Sequence, residues 1–338
     1  MLVDQRGRPL RDLRVSVTDN CNFRCTYCMP AEAFPADYPF LTADRLLSFP
    51  EIARVVEAAV PLGLKKVKLT GGEPLLRSLL PELVLSLKTR FPQVEVGLIT
   101  NGLHLAPLLP RFKAARLDSV TVSIDSLDAE RFAAMTGNGH RVSVVLEAIE
   151  EARQVFGRVK LNAVVIRGKN EDQIEPLVRH FRRPGFDLRF IEYMDVGTLN
   201  RWDRSQVVTG DEVLAHLKCL VPGVGLDPVA KSHPGETSER WAWADGRGMV
   251  GFINSISRPF CGDCSRARLS ADGKLYTCLF SSAGHDLAPL LRAGATQDGL
   301  SAKLSAIWTG RKDRYSEERP VEAKATPASR VEMFAVGG

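Results

Sequence analysis

The sequence predicts an α/β fold built from parallel βαβ units. Six short runs rich in β-branched residues, at 13–18, 66–69, 94–100, 119–124, 159–166 and 188–193, alternate with amphipathic helical stretches at 50–60, 79–89, 107–115, 142–155 and 170–182. Strands separated by helices in this way pair in parallel through right-handed crossovers. The pattern is compatible with a barrel and with an open doubly wound sheet. In both, ligands gather at the carboxyl ends of the strands.

Beyond residue 200 the alternation stops, so we divide the chain into a core at 1–200 and a C-terminal region at 201–338. The Gly/Pro-rich stretch 221–234 predicts a loop or hairpin connection, and two β-like runs follow at 240–244 and 249–255. Asp272-Gly273 predicts a two-residue hairpin turn.

Composition excludes several classes of protein. The 338 residues are 44% hydrophobic and 25% charged, as in soluble globular proteins. The net charge of +5 is too small to indicate nucleic-acid binding. No apolar run approaches the roughly 18 residues of a membrane span, and the first residues lack a signal-peptide pattern. We therefore expect a cytoplasmic protein without membrane or nucleic-acid partners.

Six of the seven cysteines form two triplets: Cys21, Cys25 and Cys28, and Cys261, Cys264 and Cys278. The first triplet directly follows the first predicted strand, and the hairpin turn folds Cys278 back toward Cys264. Closed zinc and iron–sulfur sites take four protein ligands, so each triplet predicts a metal centre with one open position. An odd cysteine count argues against a disulfide framework. The seventh cysteine, Cys219, is expected to be a buried apolar side chain.

The first triplet carries a family resemblance. Its C-x3-C-x2-C spacing, with Tyr27 before the last cysteine, resembles the signature of the radical S-adenosylmethionine (SAM) enzymes. The turn Gly71-Gly72-Glu73-Pro74 after the second strand resembles their SAM-binding motif. The resemblance implies that the three thiolates hold a [4Fe-4S] cluster and that SAM binds its open iron. It also implies SAM contacts from Tyr27, Gly72, Ser123 and Met194.

The second triplet indicates one particular family within the radical SAM enzymes. Its C-x2-C-x13-C spacing, together with Arg266-x-Arg268 and Asp272-Gly273-Lys274, is similar to the GTP 3′,8-cyclases of molybdenum cofactor biosynthesis. The likeness runs nearly end to end, through 190–197 and 313–319 to the final Gly337-Gly338. It implies a partial (β/α)6 TIM-type barrel of the radical SAM type, whose open side is closed by a β-containing C-terminal extension.

That family implies a reaction with two [4Fe-4S] clusters and SAM as cofactors. A 5′-deoxyadenosyl radical abstracts hydrogen from C3′ of GTP, and the C3′ radical adds to C8. The product is (8S)-3′,8-cyclo-7,8-dihydroguanosine 5′-triphosphate. The three N-terminal cysteines, Arg266 and Arg268 would be catalytic. The two centres would face each other across one dry cavity.

GTP needs an anion site, yet the sequence contains no P-loop motif. The resemblance assigns GTP contacts to seven side chains: Arg14, Lys68, Thr100, Lys160, Arg189, Arg266 and Arg268. Some of them, Lys68 and Lys160 above all, could instead pair with carboxylates. Lys68 stands where the family usually has arginine, and Ile99 replaces a threonine. The tail, Gly337 and Gly338, is implied to enter the active site.

Partners and rival functions complete the expectations. The resemblance implies a downstream cyclic pyranopterin monophosphate synthase and an electron donor that the sequence does not identify, and it leaves a homodimer open. The nearer rival is another radical SAM enzyme with an auxiliary cluster, acting on a peptide or a different nucleotide. The distant rival is a non-enzymatic protein that binds zinc at both triplets.

Overall fold

The prediction of parallel βαβ units is confirmed by a computed structural model, which describes residues 2–137, 139–319 and 330–337. Its first six strands pair in parallel in chain order: β1 Asp12–Ser16, β2 Lys66–Thr70, β3 Glu95–Thr100, β4 Ser119–Ser123, β5 Val159–Val165 and β6 Phe186–Glu192. Each observed strand overlaps a predicted run.

Helices connect these strands as the crossovers require. They are α1 Phe49–Ala59, α2 Leu80–Arg90, α3 Leu109–Ala114, α4 Ala129–Thr136, α5 Val142–Phe156 and α6 Ile174–Phe181. Short 3₁₀ turns precede α3 and α6, at Ala106–Leu108 and Glu171–Gln173, and others lie at Pro74–Leu76 and Arg204–Gln206. Helix α1 begins at a capping box, in which Ser48 and Glu51 satisfy each other's free backbone amides.

The sequence analysis did not predict α4, which is only eight residues long. Its start is fixed by Asp128, whose carboxylate accepts a hydrogen bond from the backbone amide of Arg131 at 2.8 Å. Phe132 and Met135 bury its inner face. Two buried apolar positions in eight residues are too few for a periodic signal.

The C-terminal region adds strands to both edges of the parallel sheet. These are β7 Leu226–Val229, β8 Glu239–Trp243, β9 Met249–Ile253, β10 Arg266–Leu269, β11 Lys274–Tyr276 and β12 His285–Asp286. The full order is β12-β11-β10-β1-β2-β3-β4-β5-β6-β9-β8-β7. Strand β10 pairs in parallel with β1, and β9 pairs in parallel with β6. Eight neighbouring strands are therefore parallel, and the outer pairs at each edge are antiparallel.

The remaining helices are α7 Gly210–Leu220, α8 Ala288–Arg292, α9 Gln297–Thr309, α10 Tyr315–Glu318 and α11 Met333–Val336. The Asp272-Gly273 turn joins antiparallel β10 and β11 as predicted. Stretch 221–234 contains β7, which forms a hairpin with β8. The expectation for Cys219 was wrong: its side chain is exposed, because the buried face of α7 is formed by Val213, Leu214 and Leu217. Among the described residues, no helix is both long and apolar enough to cross a membrane.

The two faces of the parallel sheet differ sharply. Leu13 and Val15 point to the helices and are buried in a hydrophobic core that also includes Leu269 from the C-terminal region. Arg14, between them, lies on the opposite face and lines a cavity. The same cavity is lined by Arg268 of β10 and Ile253 of β9, which are seven strands apart in the sheet. A flat sheet would separate them by about 33 Å at roughly 4.7 Å per strand, so the sheet curls into a partial barrel.

Candidate functional site

The two cysteine triplets lie at opposite ends of the barrel. The first follows the carboxyl end of β1. Cys261 and Cys264 precede the amino end of β10, which runs parallel to β1, and Cys278 follows the antiparallel β11 back to that end. The first triplet therefore lies at the carboxyl ends of the strands, where ligands are expected to gather, and the second lies at the amino end of the same barrel.

The loop of the first triplet is held by backbone and guanidinium contacts. The amides of Cys28 and Met29 donate to the carbonyl of Cys25 at 3.0 and 2.9 Å. Arg24 donates through Nη1 to the Cys21 carbonyl and through Nε to the Phe34 carbonyl, both at 2.7 Å. The loop is thus shaped by the protein itself.

Burial controls the chemistry of these three thiols. It raises the pKa of Cys21 and of Cys28 to about 12 and that of Cys25 well above its usual value. Cys21 contributes to the shift of both others, so the three sulfur atoms lie close together. As free thiols they stay protonated near neutral pH, whereas a bound metal removes the proton outright. They are therefore suited to hold a metal centre.

Tyr27 anchors the loop to the fourth strand. Its hydroxyl donates to Asp125 Oδ2 at 2.8 Å, and Asp125 Oδ1 accepts from the amide of Val164 at 2.8 Å. Burial raises the pKa of Asp125 to about 6. This contact fixes the Tyr27 ring beside the first triplet, where the sequence places SAM. No role for Asp125 was predicted from the sequence.

The Gly-Gly turn packs directly against the chain before Cys21. The amide of Gly72 donates to the Thr18 carbonyl at 2.9 Å, and a Cβ on Gly72 would lie 2.3 Å from the Asn20 carbonyl oxygen. Only glycine fits there. Packing alone thus explains this residue, and its predicted SAM contact stays a prediction.

Glu73 joins the turn to the end of β3. Its buried carboxylate accepts from Thr100 Oγ1 and the Asn101 amide, both at 2.7 Å, and from the Leu75 amide at 3.0 Å. Burial raises the pKa of Glu73 to about 7. The hydroxyl of Thr100 is therefore committed to Glu73, and Thr100 does not line the cavities described below, although its neighbour Ile99 does. The predicted GTP contact of Thr100 remains untested.

The environment of the second triplet is strongly cationic. Arg266 Nη2 donates to Cys264 Sγ at 3.3 Å. Burial opposes ionisation of Cys264, but Arg266 and Arg311 outweigh it and lower its pKa to about 6. Cys278 behaves oppositely, since burial and Asp313 raise its pKa to about 11. All three cysteines line one cavity of about 140 Å³.

That cavity opens onto a second one of about 150 Å³, and four basic residues line both: Arg14, Lys68, Arg189 and Arg266. Lys160 lines the second cavity and Arg268 the first. We call this continuous space the basic chamber. It brings together all six cations that the sequence analysis proposed for GTP. They lie along the inner faces of the strands, not only at the strand ends.

None of these six cations forms a salt bridge with a carboxylate in the part of the chain that the structure describes. The alternative of simple carboxylate pairs for Lys68 and Lys160 therefore finds no support there. The Nε and Nη2 groups of Arg189 and the Nε of Arg266 are buried without a hydrogen-bond partner among the described residues. Such donors are costly to bury unless a ligand satisfies them.

Crowding of like charges is visible in the pKa values. Burial and neighbouring cations lower the pKa of Arg14 to about 10 and that of Lys160 to about 8. The pKa of Lys68 and of Arg268 lies well below the usual value for the same reasons. Each shift means that positive charge is disfavoured among these crowded cations, so an anion in the chamber would be strongly stabilised.

The C-terminal tail enters the barrel from the end of the first triplet. Glu332 accepts from the Thr198 amide at 2.8 Å, and Phe334 packs edge-on against Phe34 with ring centroids 5.1 Å apart. Arg268 donates to the carbonyl of Gly337. Gly337 has φ +70°, and a Cβ there would lie 2.2 Å from Thr70 Cγ2. The other tail residue proposed, Gly338, lies outside the described residues.

Two further sequence-derived residues sit near the mouth of the barrel. Ser123 ends β4 opposite Asn162 of β5, and Met194 lines the basic chamber. Sequence reasoning missed the role of the next residue, Asp195. Its carboxylate accepts from Tyr315 at 2.6 Å, from Arg319 at 2.9 Å and from Arg330 at 3.3 Å, which fixes two C-terminal segments to the end of β6.

The donor sets fit iron–sulfur clusters. Each triplet supplies three half-buried cysteines, and the second triplet lines a cavity of about 140 Å³ in which Arg266 donates to one of the sulfur atoms. Among the residues described, no three His, Cys, Asp or Glu side chains form a site for a single metal ion. A four-iron cluster is larger than one ion, and its thiolates surround the whole cluster.

Comparisons with known proteins identify the family of this chain. The radical SAM superfamily model matches residues 15–181, and the Molybdenum Cofactor Synthesis C model matches residues 186–317. A protein of Xanthomonas axonopodis pv. citri named GTP 3′,8-cyclase is 49% identical over 99% of this chain and 98% of its own. One of the same name from Staphylococcus saprophyticus is 42% identical over 100% and 99%.

Solved structures support the fold independently. SuiB of Streptococcus suis bound to S-adenosylmethionine matches with a TM-score of 0.61 at 13% identity, over 88% of this chain and 68% of that chain. At this identity the likeness concerns the barrel architecture only. The sequence relatives cover the full length and share both family regions. This chain therefore belongs to the GTP 3′,8-cyclase family of radical SAM enzymes.

Proposed function

We propose that this protein converts GTP into (8S)-3′,8-cyclo-7,8-dihydroguanosine 5′-triphosphate, as the first step of molybdenum cofactor biosynthesis. The observation that carries the proposal is the basic chamber. Six buried or half-buried cations line this chamber, which also reaches the second cysteine triplet, and none of them forms a salt bridge with a carboxylate of the described residues. A nucleoside triphosphate supplies the negative charge that this chamber lacks.

Different residues of the chamber would contact different parts of the substrate. Lys160 lines the cavity away from the cysteines, whereas Arg14, Lys68 and Arg189 line both cavities, and these four cations suit the triphosphate. Arg266 and Arg268 lie nearer the second triplet and suit the nucleoside. Guanidinium groups bind phosphate oxygens in pairs, and their attraction grows in a water-poor space.

We further propose that each triplet holds one [4Fe-4S] cluster. When bound, the first cluster and SAM supply a 5′-deoxyadenosyl radical that takes the C3′ hydrogen, and the second supplies an iron without a cysteine ligand for guanine. The chain's own task is to align ribose with SAM. Met194 and Ile99 line the chamber beside the cations and keep water from the reacting carbon.

The tail completes this alignment. Gly337 lies against Thr70 at the carboxyl end of β2, while its carbonyl accepts from Arg268 inside the chamber. It therefore spans the region between the two triplets. We propose that Gly337, which has no side chain, lets the tail enter this narrow space and hold Arg268 in position.

The wider context follows from the same proposal. The product would pass to a cyclic pyranopterin monophosphate synthase, and a separate electron donor would reduce the first cluster. Six cysteines held as thiolates around oxygen-labile clusters suit the reducing cytoplasm. Residues 1–200 would form the SAM-binding core and 201–338 the GTP side. A homodimer remains an open alternative.

Anaerobic incubation with GTP, SAM and dithionite tests the function. We expect 5′-deoxyadenosine and the cyclised nucleotide in equal amounts. If GTP fails to raise the melting temperature of the reconstituted protein while a peptide does, the rival radical SAM function is favoured. Iron and sulfide analysis distinguishes the proposed enzyme from a zinc-binding protein, since two [4Fe-4S] clusters give about eight irons per chain.

A further inference from the structure

The N-terminal turn at residues 3–9 lies directly behind the second cysteine triplet. Val3 and Pro9 form an antiparallel bridge, and the Asp4 amide donates to the Arg8 carbonyl at 3.0 Å. The turn is tied to the C-terminal region as well, because the Gln5 amide donates to the Arg311 carbonyl at 3.2 Å. Residues about 300 positions apart in the chain therefore form one unit.

Three charged side chains of this unit are almost completely buried. The side chains of Asp4, Arg8 and Arg311 are exposed by 0%, 1% and 1%. Arg8 Nε donates to Asp4 Oδ2 at 2.6 Å, and Arg311 Nη1 lies 3.6 Å from the same oxygen. Asp4 thus holds two guanidinium groups side by side. Burying charged side chains is costly, and packing of the turn alone would not require three buried charges.

The guanidinium groups point their remaining donors at the cysteine loops. Arg8 Nη1 donates to the Cys261 carbonyl at 2.8 Å. Arg311 Nη1 donates to the Cys264 carbonyl at 2.6 Å. The first two cysteines of the triplet are therefore held by two arginines that share one carboxylate.

The third cysteine is reached through Asp313. Arg8 Nη1 also donates to the Asp313 carbonyl at 2.9 Å, and Arg311 Nε donates to its carboxylate at 3.2 Å. The same carboxylate accepts from Thr277 Oγ1 at 2.8 Å, and Thr277 immediately precedes Cys278. One hydrogen-bonded network thus contacts the backbone at or beside all three cysteines.

We infer that Asp4, Arg8 and Arg311 are positioning residues that preorganise the second cluster site, which makes the N-terminal turn part of that site; the inference rests on the proposed second cluster. Two buried cations near three thiolates also offset the negative charge that a bound cluster brings. Arg8 Nη2 is buried without a partner among the described residues, so one donor is left for an added acceptor. Removing such outer contacts weakens metal binding about 10–100-fold.

A full-length chain carrying Cys21→Ala, Cys25→Ala and Cys28→Ala isolates the second site. After anaerobic reconstitution with iron and sulfide, it should hold about four irons. The rate at which EDTA removes them is then compared between this background and added Arg8→Lys or Asp4→Asn. We expect at least about tenfold faster loss. Arg8→Gln, which removes the cationic contact, should also give the cluster a more negative reduction potential.

Arg6→Lys is the matched control, because Arg6 lies in the same turn but is exposed, and its side chain donates to the Lys312 carbonyl at 2.9 Å. If circular dichroism shows that Arg8→Lys does not fold, Thr277→Val tests the inference instead. We expect EDTA to remove its iron several-fold faster than from the background chain. A background chain that holds no iron overturns the proposed second cluster. Four retained irons, lost from Arg8→Lys and Thr277→Val as slowly as from Arg6→Lys, overturn the positioning role alone.

Discussion

Arg268 donates hydrogen bonds to the main-chain carbonyls of Gly337 and, at 3.2 Å, Val336. A buried cation of the basic chamber is thereby linked to the C-terminal tail. Burial and the neighbouring Arg14 and Arg266 already hold the pKa of Arg268 well below its usual value. The two carbonyls stabilise its charge and fix its direction inside the barrel.

Deleting Gly337 and Gly338 should therefore abolish cyclisation while both clusters remain bound. Arg268 would lose its fixed orientation, whereas the cysteine loops keep all their own contacts. Product formation and iron content of the truncated protein check this. Gly337→Ala should act in the same direction, because its Cβ would collide with Thr70. A truncated enzyme that turns over GTP at the normal rate would show that the tail is only a frayed end.

The affinity for GTP should fall as the pH rises above about 8. Burial, Lys66 and Arg189 lower the pKa of Lys160 to about 8, so the free protein loses this charge in that range. A bound triphosphate favours the charged lysine, so binding must then take up a proton. One such group costs up to about tenfold in affinity per pH unit. Titration calorimetry in buffers of different ionisation enthalpy measures the proton uptake.

Lys160→Arg is the control for this pH dependence, because arginine keeps its charge throughout the range. It should reduce the proton uptake above pH 8. The part that remains should come from Lys68, whose pKa is also lowered by burial and cations. An unchanged pH profile in Lys160→Arg would contradict the assignment of Lys160 to the anion site.

Removing the guanidinium group of Arg189 should weaken GTP binding strongly. Arg189→Gln takes away a buried charged donor with two unpartnered nitrogen atoms. Hydrogen bonds to charged groups contribute about 1.5–3 kcal/mol, so we expect the Kd for GTP to rise about 10–100-fold. Arg158→Gln is the comparison, since Arg158 is half-exposed and paired with Asp187. Equal effects of the two substitutions would argue against the chamber as the triphosphate site.

Thr100→Val separates two roles of this residue. The hydroxyl of Thr100 donates to Glu73 at 2.7 Å, and the side chain is buried. We expect the free energy of unfolding to fall by about 1–2 kcal/mol, because the buried Glu73 carboxylate loses a donor. Urea unfolding measures this loss, and GTP titration measures the other role. Weaker GTP binding with unchanged stability would favour the direct contact that the family resemblance implies.

Local patterns predicted the strands of the barrel well. Strand β5 was predicted at 159–166 and spans Val159–Val165, because its buried residues alternate with Lys160 and Asn162. The six chamber cations and both triplets were also named from the sequence. The cations were assigned from the family resemblance, whereas the triplets were recognised from the spacing of their cysteines.

Long-range contacts could not be predicted in the same way. Nothing in residues 266–269 indicates that they pair with β1, some 250 residues earlier. Arg8 looks like an ordinary surface residue in the sequence, and only the structure shows its contact with the Cys261 carbonyl. The prediction for Cys219 was wrong for the opposite reason: its residue type suggested burial, but the orientation of α7 exposes its side chain.

Transfer of deuterium from GTP tests the central claim most directly. We would incubate the reconstituted enzyme anaerobically with SAM, dithionite and GTP that carries deuterium at C3′. If the chamber aligns ribose with SAM, each 5′-deoxyadenosine should contain one deuterium and appear with one cyclised nucleotide. Unlabelled 5′-deoxyadenosine, formed without any cyclised nucleotide, would contradict the account.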